Sequence, residues 1–308
     1  MNDIQLVLKN HPRLLAFIDP NATAERLGGL TNKNYLLTTA KNKLVLRIPG
    51  DGTEEYINRA HEHKAAMITS ELGVNAKVIF FDPVTGIQVA QFVDGAITMD
   101  AEKFKNPEAI SRAAASLRQV HDSKRPFENR FELFAMIDGY LEFLSGKNAE
   151  LPAGYGDVKK GAEGVRQALL KHKTPLVPCH CDPLAENFLD TPTHTYIIDW
   201  EYSGVNDPMW DLGDLSVEAC FDAVQDEQLL KSYFNGQAID PFDRGRMILY
   251  KAMCDLLWTL WGVIQHVNKN ASEDFWAYAT RRLQRCKSLM EESSFQTHVQ
   301  AVIRGPAQ

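Results

Sequence analysis

The segment from Cys179 to Leu215 constrains the fold of this chain more than any other. It reads CHCDPLAENFLDTPTHTYIIDWEYSGVNDPMWDLGDL and sets His180, Asp182 and Asn187 in the order H-x-D-x-x-x-x-N. A short β-rich run, Thr195-Tyr196-Ile197-Ile198, then delivers a second acid, Asp199. The 17 positions between the two aspartates suit a loop, a short strand, a turn and a returning strand, so both carboxylates converge on one cleft. Phosphoryl transfer needs such a set: one aspartate orients the acceptor hydroxyl and accepts its proton, while an asparagine and a second aspartate hold Mg²⁺ on the ATP phosphates. The parts alone are weak, since His-x-Asp occurs by chance and loop Asp and Asn residues commonly cap turns. An aspartate ending an apolar β-run at this distance is what the turn-capping reading does not explain.

HCDPLAEN followed by IIDWEYSGVNDPMWDLGDL resembles the choline/ethanolamine kinases, within the aminoglycoside-phosphotransferase branch of the protein-kinase-like fold. The resemblance implies an α+β, bilobal architecture. Residues 1–95 form a small β-rich N-lobe with one main helix that binds the nucleotide phosphates. Residues 96–308 form a larger, mostly helical C-lobe with the catalytic loop and the substrate pocket. It further implies transfer of the γ-phosphate of ATP to a small hydroxylated substrate, with Asp182, Asn187 and Asp199 as the catalytic set and Asn187 and Asp199 as ligands of Mg²⁺. Protein kinases carry Asp-Phe-Gly at the metal aspartate, whereas this chain has Asp199-Trp200-Glu201, the form that resembles small-molecule kinases. The chain departs from the family at Pro183-Leu184, where more polar residues are usual, and at Pro49 after the arginine-bearing strand. It lacks the long insertions of animal choline kinases, and its first 20 residues match nothing useful.

A chain of 308 residues with 44% hydrophobic content can bury a large core, as one bilobal unit or two small domains. A net charge of −7 argues against nucleic acid as a partner, which calls for basic patches. The most apolar stretch, Leu256 to Ile264, is nine residues long between Asp255 and His266, too short to insert in a membrane. The start, MNDIQLVLKNHPRLL, lacks a signal-peptide pattern, which makes the cytoplasm the default location. Five cysteines at 179, 181, 220, 254 and 286 show no paired spacing, and Cys179-His180-Cys181 has no second ligand pair for zinc. They read as reduced and mostly structural. The oligomeric state, monomer or homodimer, stays open.

Strands are expected at Thr23–Arg26, Asn34–Thr39 and Lys43–Ile48, a helix over Glu54–Leu72 stopped by Gly73, and strands at Val78–Phe81 and Gly86–Val93. Two glycines between strands usually mark only a hairpin turn. However, GGLTNKNY resembles the family's phosphate loop, in which backbone N–H groups form an anion-binding concavity. Gly28, Gly29, Thr31 and Asn32 are therefore candidates for contact with ATP. Arg47, in LVLRIPG, stands where protein kinases place a lysine, and an arginine can hold two phosphate oxygens at once. Its expected partner is Glu62, with Glu71 and Glu55 as alternatives under a register error. Gln91-Phe92-Val93-Asp94 resembles the adenine-receiving hinge, which makes Gln91 and Val93 cofactor-side candidates.

All five tryptophans, at 200, 210, 258, 261 and 276, lie in the last 109 residues. Trp258 and Trp261 are three apart in a helical run and share a face, a pattern that usually means helix core. LLWTLWGVIQ, however, resembles the segment whose paired tryptophans line the choline pocket of the family, and Tyr278 matches the tyrosine that follows it. Aromatic faces attract a desolvated quaternary ammonium by roughly 2 kcal/mol or more. Glu218 matches the acidic residue beside the ammonium site, and Asp211, on the same helix, matches one that supports the catalytic loop. These residues point to a choline-like cationic alcohol, with ethanolamine, thiamine and aminoglycosides as alternatives. A catalytically silent nucleotide or choline sensor is the reading from another class, and the intact Asp182, Asn187 and Asp199 argue against it.

Overall fold

The computed structural model describes residues 3–29, 32–50, 52–53 and 57–307. The β-favouring runs KNYLLT and KLVLRI form β2 (Lys33–Thr38) and β3 (Lys43–Ile48), both partly buried. They join β1 (Thr23–Arg26), β4 (Val78–Phe81) and β5 (Gln88–Gln91) in an antiparallel sheet of order β1-β2-β3-β5-β4. Leu37, Leu46 and Val89 are buried from one face of it against Leu8, Leu14 and Ile18. That cover comes from α1 (Asp3–Asn10) and a short 3-10 turn at Pro12–Ala16, so the segment that matched no motif closes the sheet.

Two expected elements are shorter than their composition suggests. The helix expected from Glu54 starts at Arg59, as α2 (Arg59–Glu71), because the Asn58 side chain accepts hydrogen bonds from the amides of Ala60 and His61 and caps it there. Residues 54–56 lie outside the described residues. The strand expected over Gly86–Val93 contracts to Gln88–Gln91. Gly86 donates to Asp82 O and Asp82 to Ile87 O, which commits those residues to the turn.

The rest is mostly helical. In chain order follow β6 (Ile97–Thr98), α3 (Pro107–His121), α4 (Leu133–Gly146), α5 (Tyr155–Lys171), β7 (Val177–Cys179), β8 (Phe188–Asp190), β9 (Thr195–Ile197) and β10 (Gly204–Asn206). Then come α6 (Pro208–Glu218), α7 (Ala223–Tyr233), α8 (Pro241–Val267), α9 (Phe275–Glu291) and α10 (Phe295–Arg304). The short strands pair as β10-β7 and β6-β8-β9 and carry the catalytic loop. By length and composition α8 could cross a membrane, but it is mostly buried among α6, α9 and α10. Two glycines bring these helices close. A Cβ on Gly213 of α6 would lie 2.8 Å from Met247 O of α8, and one on Gly262 of α8 would lie 2.7 Å from the Tyr278 ring of α9. All five cysteines are free, and only Cys220 is exposed.

Candidate active site

The catalytic loop is held from below by one buried carboxylate. Asp211, in the first turn of α6, accepts hydrogen bonds from the backbone N–H of His180 (2.7 Å) and of Cys181 (2.8 Å). Asp211 Oδ2 also lies 3.0 Å from His121 Nε2, and His121 Nδ1 lies 2.8 Å from the Tyr233 hydroxyl. Burial lowers the pKa of His180 and favours the neutral ring, which matches a ring nitrogen 2.9 Å from Ile198 O and another 3.3 Å from the Asp182 amide. His180 thus ties the loop to the end of β9 and fixes Asp182 relative to Asp199. Asn187 donates its Nδ2 to Asp182 O (3.1 Å), which leaves its Oδ1 as the atom for a cation. Asp182 is half-buried, and burial, then Glu218, Asp199 and Glu201, raise its pKa well above the usual carboxylate range.

Between sheet and helices lies an ionic cluster built from both. Arg47 Nη1 donates to Asp199 Oδ1 (2.9 Å) and Arg47 Nη2 pairs with Glu62 Oε1. Arg59 pairs with Glu62 (2.6 Å) and Glu201 (3.2 Å). Of the alternatives to Glu62, Glu71 instead pairs with Arg125 (2.6 Å), and Glu55 lies outside the described residues. Asn32, 2% exposed, donates from Nδ2 to Asp199 Oδ2 (3.4 Å) and Glu201 Oε2 (3.3 Å). Burial opposes the charge on Arg47, but Glu62, Asp199 and Glu201 outweigh it and raise its pKa. Burial and Asp199 push Glu201 up to about 7 against the pull of Arg47. Glu62, Asp199 and Glu201 each bring an oxygen within 4.8 Å of the others. Three carboxylates against two guanidiniums leave a negative balance, and hard oxygen donors suit Mg²⁺.

The glycine loop follows β1. Gly28 has open space where a Cβ would stand, and Gly29 has φ +135, which favours glycine. Thr31 lies outside the described residues. At the expected hinge, the amides of Gln91 and Phe92 are spent on Lys77 O (2.8 Å) and Lys43 O (3.1 Å), and Val93 O accepts from the Ala96 amide (3.3 Å).

A second cluster lies on the helical side. Trp258 and Trp261 meet edge to face with centroids 6.2 Å apart, Trp261 lies 5.8 Å from Tyr278, and Trp258 lies 5.6 Å from Tyr202. The indole N–H groups of Trp258 and Trp261 are buried with no hydrogen-bond partner among the described residues. Glu218 pairs with Arg282 (2.5 Å), whose guanidinium lies 4.7 Å from the Tyr278 ring centroid. Asp214, Glu218 and Cys254 bring polar atoms within 4.8 Å of one another, and burial raises the pKa of Asp214.

Among the members of these clusters that sequence reading missed are Arg59, Glu201, Asp214 and Arg282. Signals existed for three. Arg59 stands one helical turn before Glu62, Glu201 two residues after Asp199 in the Asp-Trp-Glu motif, and Arg282 one turn after Tyr278.

A profile of choline/ethanolamine kinases matches residues 24–233. The chain belongs to the choline/ethanolamine kinase family. It is a small-molecule kinase with a bilobal, protein-kinase-like α+β fold. Among solved structures, a choline/ethanolamine kinase family protein from Mesorhizobium loti is 52% identical, with TM-score 0.88 over 98% of this chain and 99% of that one. The choline kinase LicA from Streptococcus pneumoniae is 29% identical, with TM-score 0.78 over 94% of this chain and 99% of that one. LicA in complex with AMP is 27% identical, with TM-score 0.76 over 97% and 100% of the two chains.

Proposed function

We propose that this kinase transfers the γ-phosphate of ATP to the hydroxyl of choline. The observation that carries the reading is a wall of Trp258, Trp261 and Tyr278 joined to Glu218 through Arg282. An aromatic wall with a carboxylate suits a desolvated cationic head group, and places its hydroxyl end toward a proton acceptor. In this reading Asp182 orients the hydroxyl and accepts its proton. Asn187 and Asp199, with Glu201 beside Asp199, would hold Mg²⁺, which would supply neutralisation of phosphate charge. Arg47, set by Glu62, holds phosphate oxygens. The loop of Gly28, Gly29, Thr31 and Asn32 closes over the phosphates, and the hinge at Gln91 and Val93 receives adenine. Residues 1–95 and 96–308 act as the two lobes. Binding of AMP by LicA supports the nucleotide site, and five free cysteines suit a cytoplasmic setting.

Ethanolamine is the second reading, and Asp214 favours it. Its Oδ2 is buried without a hydrogen-bond partner among the described residues, an acceptor that a primary ammonium could use and a quaternary one could not. The test is ADP release by the purified protein with Mg-ATP against choline, ethanolamine, thiamine and kanamycin. A kcat/KM for choline at least tenfold above the others is expected. Preference for ethanolamine selects the second reading, and turnover of kanamycin alone sinks both.

A further inference from the structure

The aromatic wall and Glu218 come from three helices, and one buried side chain touches all three. Arg282, 6% exposed, leaves α9 and donates to Glu218 Oε1 on α6 (2.5 Å) and to Asp255 Oδ1 on α8 (3.2 Å). Its guanidinium also lies 4.7 Å from the centroid of Tyr278, one turn back on its own helix. We propose that Arg282 is the positioning residue of the head-group site: it fixes the Glu218 carboxylate and the Tyr278 ring in the arrangement that receives the substrate's cation. The inference rests on the choline or ethanolamine reading of that site.

The geometry separates this role from plain helix bracing. Arg285 supplies the internal comparison. It grips the same Asp255 through two bonds, Nε to Oδ2 (2.7 Å) and Nη2 to Oδ1 (2.6 Å), and reaches the Val217 carbonyl (3.1 Å). Among the described residues, Arg285 makes no hydrogen bond to Glu218 or Tyr278. Asp255 therefore keeps a counter-ion when Arg282 is removed, while Glu218 loses the guanidinium that holds it. A planar fork can serve Glu218 and Asp255 from one position while lying against a ring; the point charge of a lysine cannot do all three. Glu218 and Asp255 are set against Arg282 and Arg285, so each acid has an arginine and Glu218 depends on Arg282 for its placement.

The test compares R282M, R282K and R285M by steady-state kinetics and thermal melting, on choline and on ethanolamine. R282M is expected to raise KM for the alcohol about tenfold, with KM for ATP and kcat at saturation within twofold of wild type. R282K is expected to raise the same KM about threefold, because it keeps the charge but not the fork. R285M is expected to lower the melting temperature and leave the alcohol KM unchanged. An unchanged alcohol KM in R282M, or in R282K should R282M not fold, overturns the proposal. So does an R285M variant whose KM rises as much as that of R282M. The wild-type panel is read first: an enzyme that turns over neither choline nor ethanolamine defeats the substrate reading, whatever the arginine variants do.

Discussion

Two ionic clusters flank Asp182, and they are built from the same parts to different ends. Between the lobes, Glu62, Asp199 and Glu201 meet Arg47 and Arg59. On the helical side, Glu218 and Asp255 meet Arg282 and Arg285, with Asp214 beside Glu218. Each has one more acid than base. The difference lies in the surroundings. The first is polar throughout, with Asp199 still 27% accessible and Asn32 bridging its acids, and it draws members from both lobes. The second is walled by Trp258, Trp261 and Tyr278 and drawn from three helices of one lobe. A wet, two-sided acid surplus suits a hydrated divalent ion and phosphate, while an aromatic, one-sided surplus suits an organic cation. The count of acids and bases is thus common to both, and in the proposed reading the rings decide which cation each takes.

The largest effect is expected where the clusters meet. Asp182→Asn should lower kcat by roughly 10²–10⁴-fold, with ATP binding almost unchanged, because the lost interaction belongs to the transition state. Single-turnover kinetics beside nucleotide titration checks this. A variant with more than about a tenth of wild-type kcat would remove Asp182 as proton acceptor.

A middling effect should separate the two clusters. Trp261→Leu keeps apolar bulk but loses the ring quadrupole, so KM for choline should rise roughly tenfold while KM for ATP holds. If Trp261 is only packing, the melting temperature falls and the choline KM does not move. Paired KM values and a melting curve decide between them.

The smallest effect lies outside both clusters and sets the baseline for plain structural ion pairs. Arg112 grips Asp190 on β8 with two bonds (2.8 and 2.6 Å), and Thr195 Oγ1 donates to it as well (2.6 Å). Burial pushes the Asp190 pKa up, but Arg112 and Thr195 outweigh it and hold it below its ordinary 3.8. A lowered folded pKa means the stabilisation is complete above 3.8 and is lost as pH falls through the folded value. Asp190→Asn should therefore lower stability at pH 7 by about 1–2 kcal/mol, and the gap to wild type should close as acid protonates Asp190. Melting curves from pH 7 to pH 2.5 test it; a constant gap would mean the pair contributes through packing alone.

How much of this was legible in the sequence depends on the distance over which each residue acts. Strands Thr23–Arg26, Lys43–Ile48 and Val78–Phe81 were readable to the residue, because short β-favouring runs bounded by turn residues are local signals. The start of α2 was not, since one side chain, Asn58, overrides a helical composition that runs on before it. The covering role of the first residues was hidden because Leu8, Leu14 and Ile18 gain meaning only against a sheet formed later in the chain. Arg59 and Arg282 went unnoticed in the sequence despite their spacing from Glu62 and Tyr278, because the partners that give them a role, Glu201 and Glu218, lie 142 and 64 residues away. Motifs exposed the groups that the proposed reading has react, while the residues that hold those groups in place became visible only when the chain was folded.

In the proposed reading, Gly213 and Gly262 turn the head-group site into a caliper. The jaws are α6, which carries Glu218, and α9, which carries Tyr278, each closed on α8 at a residue with no side chain. The gap between acid and rings is therefore set by two hydrogen atoms that never touch the substrate. A methyl group at 213 would meet the backbone of Met247 and Lys251, which cannot step aside as a flexible side chain would, so the jaw itself must move. A gauge reset this way would change which head group fits while every pocket residue stayed the same. Gly213→Ala should accordingly shift the ratio of choline to ethanolamine KM, and a ratio equal to wild type would show that the jaws are set elsewhere.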